Sequence, residues 1–280
     1  MLLEYIKAVI YGIVEGITEW LPVSSTGHLI LLGDLLSLDC AEELGEQYSS
    51  MFDVVIQLAA VLAVVAVYRK ELFPSNENKK TVFLLWKKLF LTTLPAAFIG
   101  LAADLLCESF LGVDIDTILF TPQTVASALI IYGILFILVE HFTKEQSASR
   151  ELGYRSAIAI GFFQALAIIP GTSRSGATIL GARILGLDRN TAARFSFFAA
   201  IPVIFSASIL KLWDFGQYLA LSDKAMPISA LLLLLIAGAV AFTVSLVAIR
   251  FLTDFVKKHT FIPFGIYRIL LGIAVFLFIK

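Results

Sequence analysis

At 280 residues, 59% of them hydrophobic and 15% charged, with a mean hydropathy of +0.91, this chain lies outside the range of soluble globular domains. It reads as a single integral membrane domain over 1–280, all-α and polytopic, with room for roughly six to nine apolar helices of about 20 residues across a ~30 Å hydrocarbon core. The net charge is −1 and the basic residues sit singly or in pairs at segment ends, which sets a nucleic-acid partner aside.

The first apolar region, 2–38, has no short basic stretch followed by a small-residue cleavage site, so it is expected to be retained. It is interrupted by Glu15-Gly-Ile-Thr-Glu19-Trp-Leu-Pro22-Val-Ser24-Ser25-Thr26-Gly27-His28, and Pro22 with the nearby glycine predicts helix, break, helix. Unbroken apolar runs follow near 51–68, 88–106 and 123–142. A second interrupted region, 156–187, carries Pro170-Gly171-Thr172-Ser173-Arg174-Ser175-Gly176-Ala177-Thr178, and three more runs lie near 192–212, 228–252 and 262–279. The prediction is therefore six full spans plus two re-entrant helix pairs. Cys40 and Cys107 fit no metal or redox spacing and are given no role.

Lysine and arginine set the orientation. If neither interrupted region changes side, one face collects Arg69, Lys70, Lys79, Lys80, Lys144, Arg189, Lys257, Lys258 and most other cations. The opposite face keeps only Lys7, Lys211, Lys224 and Lys280. The positive-inside rule makes the first face cytoplasmic and puts both termini outside. An offset of 149 residues lays Gly12 on Gly161, Glu15 on Gln164, Ser24 on Ser173, Thr26 on Ser175 and Gly27 on Gly176. Three intervening spans, an odd number, turn the copies over, so inverted repeats are expected at approximately 1–106 and 156–280, linked by a spanning helix near 123–142. Irregular backbone at that depth is tolerable only inside protein or beside a wet cavity, which predicts a polar pocket where the two breaks meet.

The residues in those breaks carry recognisable chemistry. Glu15 and Glu19, four apart, share a helix face; two carboxylates in a low-dielectric site either raise one pKa toward acid–base use or call in a divalent cation, Mg²⁺ or Ca²⁺. Ser24, Ser25 and Thr26 lie at the start of the returning helix, where hydroxyls serve as caps or as ligands for an anion, and His28 is a candidate proton carrier. Ser173, Arg174, Ser175 and Thr178 form an anion cradle. Its guanidinium fits phosphate oxygens but also pairs with Glu15 or Glu19 in an ion pair between the repeats. Asp53 and Gln57 share a face that lines the pocket from outside, and Arg268 in the last span needs an acceptor. Glu140, His141, Arg183, Arg250 and Lys257 lie near segment ends and read as snorkelling interface residues.

Both motifs, together with Phe52-Asp53-Val54-Val55-Ile56-Gln57-Leu58, Phe195-Ser196-Phe197 and Phe261-Ile262-Pro263-Phe264-Gly265-Ile266-Tyr267-Arg268, closely resemble the signatures of the bacterial undecaprenyl-diphosphate phosphatases, the bacitracin-resistance family, over essentially the full length. The resemblance implies hydrolysis of an isoprenoid diphosphate lipid, undecaprenyl diphosphate, to the monophosphate carrier of cell-wall synthesis. It also implies a location in the bacterial plasma membrane among membrane lipids, a divalent-cation requirement and a site open to the outer face. Carried over by position, Glu15 and Glu19 are the acidic pair, Ser25 and His28 the nucleophile and base candidates, and Arg174 the diphosphate ligand supported by Ser173 and Thr178. Attack by Ser25 through a phospho-enzyme and direct attack by water activated by Glu19 or His28 both stay open. A homodimer is the expected assembly. The competing reading is a secondary transporter or lipid-carrier flippase, which shares the inverted-repeat architecture.

Overall fold

The computed structural model describes residues 2–113, 115–143, 151–222 and 224–278. Ten helices carry the architecture: α1 (Leu2–Thr18), α2 (Ser25–Leu35), α3 (Glu46–Val67), α4 (Lys79–Leu111), α5 (Pro122–Phe142), α6 (Tyr154–Ala165), α7 (Arg174–Ile184), α8 (Arg189–Ser222), α9 (Ile228–Phe255) and α10 (Ile262–Phe278). Short helical turns at Asp39–Leu44, Arg69–Leu72 and Ile115–Leu119 lie in the connections. The chain is an all-α polytopic membrane protein. Five helices, α3, α4, α5, α8 and α9, are long and apolar enough to cross a bilayer, and α10 adds a sixth apolar helix of 17 residues, about 25 Å at 1.5 Å per residue. Large apolar side chains such as Phe98, Phe110, Trp213 and Leu277 are exposed along these helices, as expected of surfaces that face lipid tails.

The long helices run past the apolar stretches that announce them. The run at 88–106 is the middle of a helix of 33 residues, and that at 192–212 the middle of one of 34. Hydrophobicity marks only the part in hydrocarbon, whereas the backbone ladder continues until something stops it. For α4 the stop is Gly112, whose φ of 69° places it in the left-handed region that ends a helix. α5 begins with Pro122 in its first turn behind Thr121, whose hydroxyl accepts the Thr124 N–H.

Packing partners recur with a shift of five helices. α1 lies along α9 as α6 lies along α4, while α3 packs on α8 and α5 on α10. The first two contacts rest on glycine: a Cβ on Gly12 would stand 2.4 Å from the Ala237 carbonyl oxygen, and one on Gly161 2.4 Å from that of Thr92. Backbones that close leave lipid no entry and add dispersion contacts, the main source of helix association in a membrane. Between α5 and α10 the approach is reciprocal, because a Cβ on Gly133 would meet the Gly265 carbonyl at 2.7 Å and one on Gly265 the Gly133 carbonyl at the same distance. Hydroxyls add polar ties: Ser245 donates to the Gly16 carbonyl (3.2 Å) and Thr92 to that of Ala157 (2.9 Å).

Two residues expected at the membrane interface are instead buried. Glu140 accepts from Arg183 Nε (3.0 Å) and Arg189 Nε (2.8 Å), and Arg183 also donates to the Leu187 carbonyl. This cluster joins the end of α5 to the end of α7 and the start of α8. Snorkelling fails here because both side chains find partners closer than the surface, and a buried charge is tolerable when paired and hydrogen-bonded.

The glycine contact makes a direct prediction. Gly12→Ala forces α1 away from α9 and should cost about 1–3 kcal/mol, seen as a lower thermal unfolding midpoint in detergent. Gly216→Ala, inside α8 where an added Cβ meets nothing within 4 Å, should not lower the midpoint. Equal midpoints for the two variants would contradict the packing.

Candidate active site

Each interrupted region is a helix, a tight break and an 11-residue helix: α1 and α2 in the first, α6 and α7 in the second. The breaks are built alike. Ser24 (φ 75°) caps α2 by accepting the Gly27 N–H at 3.2 Å, and Ser173 (φ 69°) caps α7 by accepting the Gly176 N–H at 3.1 Å. Among the described residues these are the two non-glycine positions with positive φ. Such backbone costs about 1–3 kcal/mol per residue and persists only where the surroundings enforce it. In the second break Gly171 (φ 89°) lets the turn press onto α5, since a Cβ there would stand 2.5 Å from the Val125 carbonyl.

Arg268 of α10, with no solvent exposure, supplies much of that enforcement. Nη1 donates to the Pro22 carbonyl (3.1 Å), and Nη2 donates to the carbonyls of Gly171 (2.7 Å) and Thr172 (2.9 Å). One guanidinium thus satisfies carbonyls that both breaks have withdrawn from helical bonding. The acceptor its sequence position demanded turns out to be backbone, which no residue pattern announces.

The functional side chains meet between the two caps. Glu19 Oε2 accepts the Ser25 hydroxyl at 2.8 Å, and Glu19 Oε1 pairs with Arg174 Nη2 at 3.0 Å across the two halves. Arg174 Nη1 donates to the Ser196 carbonyl (2.9 Å), and the Ser196 hydroxyl bonds that of Thr178 (2.7 Å). Thr178 also donates to the Arg174 carbonyl, so α8 holds the first turn of α7 in place. Of the two partners open to Arg174 from sequence, the carboxylate it takes is Glu19. Ser25 and Arg174 are the first residues of α2 and α7, so two helix N-termini with their unpaired N–H groups and positive dipole ends flank the ion pair.

Glu15 is fully buried and neither of its carboxylate oxygens has a hydrogen-bond partner. Its counterpart by the 149-residue offset, Gln164, is buried with both amide atoms unpartnered. The carboxylates of Glu19 and Asp53 act electrostatically on Glu15, against the guanidinium of Arg174. An orphaned carboxylate beside further negative charge fits a cation or a proton, and Mg²⁺ in particular binds through one or two carboxylates with substrate phosphates and water as the remaining ligands. Among the described residues no group of three His, Cys, Asp or Glu side chains converges.

The remaining sequence candidates have structural partners. His28 Nδ1 lies 2.7 Å from the Ser24 carbonyl, which can only accept, so Nδ1 carries the proton and Nε2 accepts the Tyr267 hydroxyl at 2.6 Å. Neither ring nitrogen faces Ser25. Ser175 bonds Ser173 (3.1 Å) and reaches the Leu21 carbonyl (3.4 Å). Thr26, Asp53 and Gln57 line a cavity of about 740 Å³ whose walls also carry Glu46, Lys211 and Asp214. Ser196 received no role from the sequence, although Phe195-Ser196-Phe197 is one of the segments that carry the resemblance.

A family model described as bacitracin resistance protein BacA matches residues 8–274. The undecaprenyl-diphosphatase of Acetivibrio thermocellus is 47% identical over 286 positions, covering 99% of this chain and 98% of its own. That of Streptococcus mutans is 47% identical over 279 positions, covering 96% and 94%, and that of Enterococcus faecalis 43% identical over 286 positions, covering 98% and 97%.

Arg268→Lys retains the charge but cannot span both breaks, leaving at least one buried carbonyl unsatisfied at about 1–3 kcal/mol. Its thermal midpoint in detergent should fall. An unchanged midpoint would show that the breaks hold without the guanidinium.

Proposed function

Since the chain belongs to the bacitracin resistance protein BacA family, and hydrolyses undecaprenyl diphosphate to undecaprenyl phosphate and inorganic phosphate, we propose that the bond is cleaved where the two breaks meet, with Ser25 as nucleophile. The observation that carries this reading is the chain Ser25 to Glu19 to Arg174, in which one carboxylate holds both the attacking hydroxyl and the phosphate-binding guanidinium.

Arg174 exchanges Glu19 Oε1 for the diphosphate oxygens, which a planar fork of donors suits better than one carboxylate oxygen. The N–H groups at the starts of α2 and α7 add donors around the same anion. Released from the ion pair, Glu19 becomes the base for Ser25, whose proton already points at Oε2. Ser25 gives its proton to Glu19 as Oγ attacks the terminal phosphorus. The bond to the bridging oxygen breaks, Glu19 passes that proton to the departing undecaprenyl phosphate and is a carboxylate again, and the phosphoryl group is esterified to Ser25. Water then gives a proton to Glu19 as it attacks that ester from the side the lipid phosphate has vacated; the P–Oγ bond breaks, inorganic phosphate forms, and Glu19 returns the proton to Ser25. Catalysis rests on positioning and on stabilising charge over the transferring oxygens, which is what phosphoryl transfer chiefly requires.

Of the two base candidates, geometry favours Glu19; His28 braces the Ser24 turn from Tyr267. Ser24, Ser173, Ser175 and Thr178 shape the cradle through their caps and ties, and Thr26 faces the cavity through which the headgroup is reached. Glu15, with Glu19, would hold a divalent cation. When bound there, it would supply charge neutralisation on the diphosphate.

The recurrence of packing partners supports an inverted repeat in which α1–α5 and α6–α10 are the copies. In this reading α5 closes the first copy rather than linking the two. With the lysine and arginine distribution, it supports re-entrant pairs from opposite faces and a site open to the outer side. Homodimerisation is carried forward from the sequence and has no bearing on the chemistry. The transporter alternative draws no support from the relatives, which are named for hydrolysis.

Phosphate release from undecaprenyl diphosphate by purified protein tests the assignment. Arg174→Ala and Glu19→Gln should each lose about 10²–10³-fold in kcat. Ser25→Ala should lose turnover as fully, and a brief reaction with ³²P in the terminal phosphate should label wild-type Ser25. Substantial turnover by Ser25→Ala would rule out the covalent route in favour of direct attack by water. Chelation should abolish activity and Mg²⁺ or Ca²⁺ restore it; indifference to both would remove the cation from the scheme.

A further inference from the structure

Beside the second break is a cleft of about 440 Å³ whose accessible wall is mostly carbon, with Gln123 and Thr124 at its far end, formed by one face of α5 and the turn before α7. Ser127, Ala128, Ile131 and Tyr132 contribute from α5 at helical spacing, and Ile169 and Thr172 close it from the break. Ile131 (54% exposed) and Ile169 (39% exposed) form its outer lip, while Ala128 and Tyr132 are its buried floor. The cleft extends inward from Gln123 to Tyr132, about 13 Å along α5.

Its inner end adjoins the reaction site. Thr172 lies two residues before Arg174, and its carbonyl is held by Arg268. That guanidinium lies 5.6 Å from the centre of the Tyr132 ring. The Thr172 hydroxyl is fully buried and without a hydrogen-bond partner. The larger cavity on the other side sets Glu46, Asp53, Lys211 and Asp214 beside Leu29, Ile30 and Phe215, a mixed wall that suits a charged headgroup and water better than a hydrocarbon chain.

The geometry points to this cleft as the binding site for the isoprene units next to the diphosphate of the lipid substrate. The inference rests on the hydrolase reading above and assigns the substrate's two ends to two walls. The diphosphate lies at Arg174 and Ser25, and the Thr172 hydroxyl stands where headgroup gives way to chain. The first few isoprene units lie along α5, and the rest of the chain leaves past Ile131 and Ile169 into the bilayer. The diphosphate end is held by polar partners, whereas the tail gains only burial, so the cleft should act on affinity and chain selection.

A geranylgeranyl diphosphate carrying a diazirine on the isoprene unit nearest the diphosphate tests this in the wild-type protein. Irradiation in detergent should label the peptide spanning 123–132 or that spanning 169–172, and unlabelled undecaprenyl diphosphate should suppress it. In parallel, Ala128→Phe, which fills the floor, should raise KM for undecaprenyl diphosphate at least fivefold. Labelling of the wall around Leu29, Ile30 and Phe215 by a probe that is still hydrolysed would overturn the cleft and leave the hydrolase reading intact. Wild-type protein that hydrolyses neither probe nor undecaprenyl diphosphate would overturn both. Should Ala128→Phe fail to fold, the wild-type labelling pattern decides alone.

Discussion

Buried charge in the membrane must be met by buried charge or by backbone, and here a single guanidinium does the latter for both halves of the site. Arg268 sits in the last helix and bonds the carbonyls of Pro22, Gly171 and Thr172, where the chain turns and its own helical bonding stops. A carbonyl left unbonded in hydrocarbon costs several kcal/mol, so two breaks at membrane depth need a donor that reaches both. Without this tie the positive-φ caps at Ser24 and Ser173 have less to hold them, and the N-termini of α2 and α7 lose their fixed directions.

Once the breaks are fixed, the rest of the site follows from electrostatics. Glu19 reaches across from the first half to Arg174 in the second, so neither charge is stranded, and the same carboxylate takes the Ser25 hydroxyl. The pairing makes the site self-protecting, because a buried cation needs an anion at all times. In the proposed reaction the diphosphate would take over the guanidinium from Glu19 and so release the carboxylate to act as a base. Ser196 and Thr178 hold Arg174 from behind.

The transmembrane architecture was legible in the sequence because hydropathy is a local property. Runs such as 123–142 and 228–252 had to be helices in lipid, and Pro22 and Pro170 mark breaks because glycine and hydroxyl residues cluster beside them, whereas Pro95 and Pro202 stand inside continuous helices. The caps at Ser24 and Ser173 were legible through the 149-residue offset. What pairs with what was not. Arg174 had two carboxylates to choose from, Arg268 found carbonyls, and Glu140 and Arg183 found each other and Arg189 in place of the surface. These are tertiary choices fixed by which helices lie together, and the close approach of Gly12 to Ala237 or Gly133 to Gly265 leaves no periodicity to read. The resemblance to known enzymes supplied Ser25 and His28 as a pair, while the geometry gives each a different partner.

The central claim is that Glu19 and Arg174, from opposite halves of the chain, act on one phosphoryl group as a single unit. A double-mutant cycle on phosphate release, comparing Glu19→Gln, Arg174→Ala and the two combined, tests this most directly. The account predicts strong non-additivity, with the double variant no worse than the more impaired single one. Losses that multiply, each variant contributing its full factor independently, would mean that the two residues serve separate steps, and the account would be wrong.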